Sequence, residues 1–149
     1  SMSNNFYSHH YIIQETVKIM INQSFGGSIS INLSKQSINP GNNFGPYGIA
    51  KASALFMMKQ YALECGIHNI RVNGVNADRI QSGLLTKAMI AQRAKARGIK
   101  ESDYLKNNLL NKEVTASDVA ESFYVQLSLD KTTANIITVD GGNIEASLR

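Results

Sequence analysis

The chain is poor in the features that several common activities need. It has one cysteine, Cys65, in 149 residues. No intramolecular disulfide can form, and a reducing cytoplasm is the expected location. Cys65 precedes Gly66 with no histidine at ligand spacing, so it reads as a packing residue. His9, His10 and His68 do not combine with it in any metal-binding pattern, and no metal is expected. No apolar run is long enough to cross a bilayer and no secretory signal is visible, so no membrane partner is expected. Internal repeats and low-complexity linkers are absent. Basic residues outnumber acidic ones by 15 to 11, a net charge of +4. Part of the excess lies in Arg93, Lys95, Arg97 and Lys100. No aromatics interleave these residues to stack bases, so they read as a solvated helix face and nucleic acid is not an expected partner.

What is present is alternation. Residues 9–22 read as a helix, 28–33 as a strand, 46–64 as a helix and 70–75 as a strand. Further on, 83–97, 101–109 and 116–129 read as helical, and 135–139 as a strand. Such alternation implies an α/β fold with a parallel sheet covered by helices on both faces, and the length suits one domain, 1–149. Pro46 fits a first helical turn. Gly66 suits a left-handed helix end. Thr115 with Asp118 has the spacing of a capping box. The 46–64 segment is apolar almost all round, through Ala50, Ala54, Leu55, Phe56, Met57, Met58, Ala62 and Leu63. Such a helix must be buried on more than one side. The Met57-Met58 pair is either core filling or interface packing.

The chemistry is concentrated in three residues. Tyr47 and Lys51 stand four apart at the start of that helix, which puts a phenol and an ammonium on one face. Ser34 lies thirteen residues before Tyr47, at the end of the run Ser28-Ile29-Ser30-Ile31-Asn32-Leu33. A phenol titrates near pH 10, and a nearby cation stabilises its phenolate. Ser34 can hold a substrate oxygen while Tyr47 takes or gives its proton. The alternative from spacing alone is an exposed Tyr–Lys pair and a capping serine.

Ser34 followed by Tyr47-x-x-x-Lys51 resembles the short-chain dehydrogenase/reductase family. So do Asn69-Ile70-Arg71-Val72-Asn73-Gly74-Val75-Asn76, similar to the sixth strand of that family, and Ile136-Ile137-Thr138-Val139-Asp140-Gly141-Gly142, similar to its last strand and closing turn. Asn5 opens a stretch similar to the fourth helix. Ser34-Lys35-Gln36-Ser37-Ile38-Asn39-Pro40-Gly41 and Val75-Asn76-Ala77-Asp78-Arg79-Ile80 resemble the dehydrogenase portion of the bifunctional rhamnulose-1-phosphate aldolase/alcohol dehydrogenase proteins.

The resemblance implies a catalytic set of Asn5, Ser34, Tyr47 and Lys51. Tyr47 would be the acid/base, Ser34 would orient substrate, and Asn5 would position a relay water. Lys51 would assist Tyr47 and also hold the nicotinamide ribose. Ser37 competes with Ser34 for the serine role. Ile80 and Ser82 match positions that hold the cofactor carboxamide, although Ala77-Asp78 replaces the usual Pro-Gly. Arg79, not a usual family residue, either binds an anionic substrate group or pairs with Asp78. Residues 83–110 correspond to a variable substrate lid, with Leu84, Leu85, Met89 and Ile90 near the cleft. The implied cofactor is NAD or NADP, with NAD favoured. The implied substrate is a small alcohol or aldehyde such as lactaldehyde, and the implied partner is a second copy bound through helices 9–22 and 46–64.

One family feature is missing. No G-x-G-x-x-G follows a strand, so the usual pyrophosphate cradle is absent, and Gly26-Gly27 precedes a strand instead. The chain therefore reads as the C-terminal half of a Rossmann-like doubly wound domain, and Ser1-Met2 as a cloning scar with an introduced start. Two functional readings follow. The parent is an oxidoreductase, or this chain is an oligomerising half-domain that cannot bind cofactor unaided.

Overall fold

The computed structural model describes residues 1–142. Three parallel strands form one sheet in the order β1-β2-β3: β1 is Gly27–Asn32, β2 is Ile70–Ala77 and β3 is Ile136–Val139. Five helices join and cover them: α1 Ser8–Gln23, α2 Gly45–Cys65, α3 Lys87–Ala96, α4 Glu101–Tyr104 and α5 Ala116–Ser128. A π-helical turn, Ser3–Tyr7, leads into α1.

Strand alternation assigns the helices to opposite faces. Ile29, Ile31, Ile70 and Val72 join Ile13 and Val17 of α1 and Ala54, Met57, Met58 and Ala62 of α2 in one apolar core. The intervening residues face α5. Ser30 donates to the Gln126 side chain, Gln126 donates to the Gly74 carbonyl at 2.8 Å, and Arg71 donates to the Leu127 and Leu129 carbonyls. A Cβ at Gly74 would lie 2.6 Å from Cδ1 of Leu33, so that side chain would have to shift to admit one. Gly26, at φ 83°, is likewise restricted by its contact with Asn69.

The register runs from Gly27 opposite Ile70 to Asn32 opposite Val75, and β3 pairs along the far half of β2. On its other edge β1 meets no strand among the described residues, so that edge is open to pairing.

Several boundaries differ from the sequence expectation. The expected helix over 83–97 begins only at Lys87. Residue Thr86 is extended and its hydroxyl accepts from the Met89 N–H at 3.4 Å, so it caps the helix four residues later than expected. The expected helix over 101–109 stops at Tyr104. Its Tyr104 carbonyl and that of Asn107 accept from Arg79 instead, and the Asn108 side chain bonds the Lys112 backbone. Side chains have taken groups that helix continuation needs. Gly66 is not left-handed, with φ −58°. The chain makes one more tight turn, Gly66–His68, and the left-handed residue is Asn69 at φ 57°. The capping box of Thr115 and Asp118 is present, with Thr115 N–H donating to Asp118 at 2.7 Å. Among the described residues no helix is long and apolar enough to cross a membrane.

Candidate active site

Lys51 reaches the end of β1, close to Ser34 in sequence, and Tyr47 stands one helical turn before Lys51 on α2. Lys51 is buried, at 5% exposure, and its Nζ donates to the Asn32 carbonyl at 2.9 Å. This bond ties α2 to the last residue of β1, two positions before Ser34. Burial pushes the Lys51 pKa down, because an ammonium loses hydration there. Its Nζ lies 5.9 Å from the Tyr47 ring centre. At Gly48, next to Tyr47, α2 packs against the turn after β1: a Cβ there would make an ordinary contact, 3.4 Å from the Gln36 carbonyl.

Ser34 is extended, at φ −158° and ψ 151°, and its Oγ accepts from the Gln36 N–H at 3.2 Å. An accepting hydroxyl still has its own proton to donate. Ser37 differs. Its hydroxyl donates to the Ser34 carbonyl at 2.6 Å, and the residue is buried. The proton of Ser37 is spent within the turn, whereas that of Ser34 is available to a substrate oxygen.

Asn5 is not brought to these three by any side-chain bond. Its amide donates to the Ser1 carbonyl at 3.2 Å, within the π-helical turn. His9, one turn further on, is the residue the sequence reading overlooked. Burial and the nearby Lys51 charge both lower its pKa. No motif signals that proximity, because it arises where α1 meets α2.

The loop after β2 contains the remaining candidates. Ile80 is half-buried, while Ser82 is exposed and its hydroxyl accepts from the N–H groups of Leu84 and Leu85. Leu84 points outward at 87% exposure; Leu85 is the inward residue of that pair. Arg79 is left-handed at φ 55°. Its Nε pairs with Asp78 at 3.4 Å, and Lys35 pairs with the same carboxylate oxygen at 3.3 Å. The expected ion pair with Asp78 is present, and the Arg79 side chain is largely buried.

Residues 83–110 have a small core of their own, built from Leu85, Ile90, Ala94 and Tyr104. The basic stretch is more than a solvated face. Arg93 stacks over the Phe44 ring at 5.0 Å, and Arg97 over the Tyr104 ring at 5.1 Å. Phe44 in turn meets the Tyr47 ring edge-on at 6.0 Å. Cys65 is buried and burial raises its thiol pKa, which suits packing and disfavours thiolate chemistry.

A phenol, a buried amine and an available hydroxyl at one strand end form an arrangement suited to moving a proton to or from an alcohol oxygen. Comparison with known proteins gives it a context. The family model described as enoyl-(acyl carrier protein) reductase matches residues 1–143. An uncharacterized oxidoreductase, YuxG of Bacillus subtilis strain 168, is 34% identical over 139 residues, covering 88% of this chain and 20% of the relative. Dehydrogenase/reductase SDR family member 4 of Oryctolagus cuniculus is 29% identical over 117 residues, covering 78% of this chain and 44% of the relative. The chain thus spans less than half the length of either curated relative. Among solved structures, a short chain dehydrogenase family protein from Francisella tularensis subsp. tularensis SCHU S4 superimposes with a TM-score of 0.78 at 26% identity, covering 96% of this chain and 60% of the other. Carveol dehydrogenase from Mycobacterium avium, in complex with NAD, gives a TM-score of 0.86 at 21% identity, covering 96% and 55%.

Proposed function

The chain belongs to the short-chain dehydrogenase/reductase family, and from that premise we propose that its parent protein transfers hydride between a nicotinamide cofactor and a small alcohol or aldehyde. The observation that carries this reading is Lys51: a buried amine bonded to one carbonyl, Asn32, and set beneath the Tyr47 ring. An ammonium has three N–H groups, so two remain for a ribose. These residues fit the nicotinamide half of a dinucleotide site. No G-x-G-x-x-G occurs in the chain, so on this reading the pyrophosphate half is supplied by another part of the parent.

In this mechanism Ser34 donates its free proton to the substrate oxygen and holds it against Tyr47. Tyr47 accepts the hydroxyl proton as an alcohol becomes a carbonyl, and returns it in the reverse direction. Lys51, when charged, stabilises the phenolate. Ile80 and Ser82 border the cofactor, and residues 83–110 form the lid. The bound nicotinamide supplies or receives the hydride.

NAD is the favoured cofactor, and lactaldehyde, in rhamnose catabolism, the favoured substrate. The loops 34–41 and 75–80 support this through their resemblance to the bifunctional aldolase/dehydrogenase proteins. The small share of YuxG that the chain spans agrees with a long, multi-part parent. The buried free thiol of Cys65 suits a cytoplasmic setting. We assign the oligomer contact to α1 and the outer side of α2, supported by an apolar groove of about 650 Å³ between Phe6, His10, Phe56, Met57 and Tyr61.

The test is Tyr47→Phe in the full-length parent. Turnover is expected to fall about 10²–10⁴-fold with the fold intact; unchanged turnover defeats the assignment. A second reading, that this chain alone is an oligomerising half-domain, is favoured by the open edge of β1. Fluorescence titration of the isolated chain with NADH separates the two. Binding that Lys51→Ala weakens means a preformed half-site, and no binding at millimolar cofactor means an incomplete domain.

A further inference from the structure

Arg79 joins the loop after β2 to the C-terminal part of the 83–110 segment through hydrogen bonds. One Nη1 donates to the carbonyls of Tyr104 at 3.3 Å and Asn107 at 3.2 Å. The guanidinium carbon lies 5.4 Å from the centre of the Tyr104 ring, and Arg97 stacks on the same ring. Tyr104 itself is 1% exposed. The other end of the arginine is anchored: Nε pairs with Asp78, and Asp78 pairs with Lys35, the residue after Ser34.

We propose that Arg79 is a positioning residue that latches the substrate lid and couples its closed position to the Ser34 turn. The proposal rests on the lid reading given above. A planar fork can hold a carboxylate on one side and two carbonyls on the other, which a lysine ammonium cannot match in geometry. The backbone of Arg79 is left-handed, and such strain persists where the surroundings over-determine it. The bonds also explain why the α4 helix stops at Tyr104: its carbonyl and that of Asn107 accept from Arg79. Lid placement is thereby linked, through Asp78 and Lys35, to the hydroxyl that would orient substrate.

The experiment uses the full-length parent with Arg79→Ala, Arg79→Lys and Tyr47→Phe, read by limited proteolysis within 97–112 and by steady-state kinetics. Arg79→Ala is expected to speed cleavage in that segment about tenfold, a local opening, while cleavage elsewhere and the melting temperature hold. Its kcat/KM for the alcohol falls by a similar factor, and Arg79→Lys recovers only part of both. Tyr47→Phe leaves the cleavage rate as in the wild type, so a failed catalytic assignment does not imitate a failed latch. Unchanged cleavage in Arg79→Ala overturns the proposal, whatever the kinetics. So does full recovery by Arg79→Lys, which would reduce the residue to a point charge. A KM increase confined to anionic substrates, with cleavage unchanged, would return Arg79 to a substrate-binding role.

Discussion

The two sides of α2 are almost equally apolar and have opposite fates. On one side Ala50, Ala54, Met58 and Ala62 are buried against the sheet, none more than 5% exposed. On the other, Ile49, Phe56 and Leu63 are 64–78% exposed. Hydrophobicity alone does not decide which side is core. Three alanines on the buried side let helix and strands approach closely, and Met58 fills the space between them. The buried side also holds the one charge, Lys51, which packing optimisation alone would exclude. The inner side therefore combines apolar packing with a buried amine, while the outer side has apolar area with no partner among the described residues.

Substitutions can break this comparison, beginning with the largest expected effect. Lys51→Met removes the buried amine from the inner side. Activity of the parent should fall about a thousandfold, ~4 kcal/mol in activation free energy, without loss of stability. The pH dependence has a definite sign. A lysine with a lowered folded pKa binds fewer protons folded than unfolded, so stability rises with pH. Its destabilising contribution is full below the folded pKa and is relieved as pH rises towards the ordinary lysine value of 10.5. Any thermal advantage of Lys51→Met at neutral pH should accordingly shrink in alkali, as calorimetry across pH will show. Equal melting shifts at all pH values would mean that Lys51 is not penalised by burial.

Met58→Ala tests the same side without touching chemistry. Met58 is fully buried, and truncation leaves a cavity, so denaturant unfolding should register a loss of about 3 kcal/mol. Phe56→Glu sharpens the contrast from outside. Measured at concentrations where the chain is monomeric, stability should stay within about 0.5 kcal/mol of the original. The proposed self-association should disappear in sedimentation analysis. If sedimentation is unaltered, the outer side of α2 is not the contact.

The residues most readable from the sequence are those whose signal is local. Tyr47 and Lys51 share a helix turn, so their common face follows from helical period alone, and the Thr115–Asp118 box follows from spacing. The strands of a parallel sheet are recognisable as short apolar runs between helices. Helix boundaries within 83–110 were less readable. Helix continuation past Tyr104 is locally plausible until Arg79, far away in sequence, bonds the Tyr104 and Asn107 carbonyls. His9 beside Lys51 and Gln126 beneath the sheet have no local mark either, because each depends on which elements pack together.

The sequence by itself determined the α/β class, the order of elements and the phenol–ammonium pair, because backbone period and side-chain chemistry are properties of neighbouring residues. Only the tertiary structure decided that Ser34 has a proton free where Ser37 has none, that Arg79 is held by Asp78 and by the Tyr104 and Asn107 carbonyls, and that one side of α2 is core. Those outcomes depend on contacts between residues distant in the chain, and hydrogen-bond partners and burial exist only once the elements have docked.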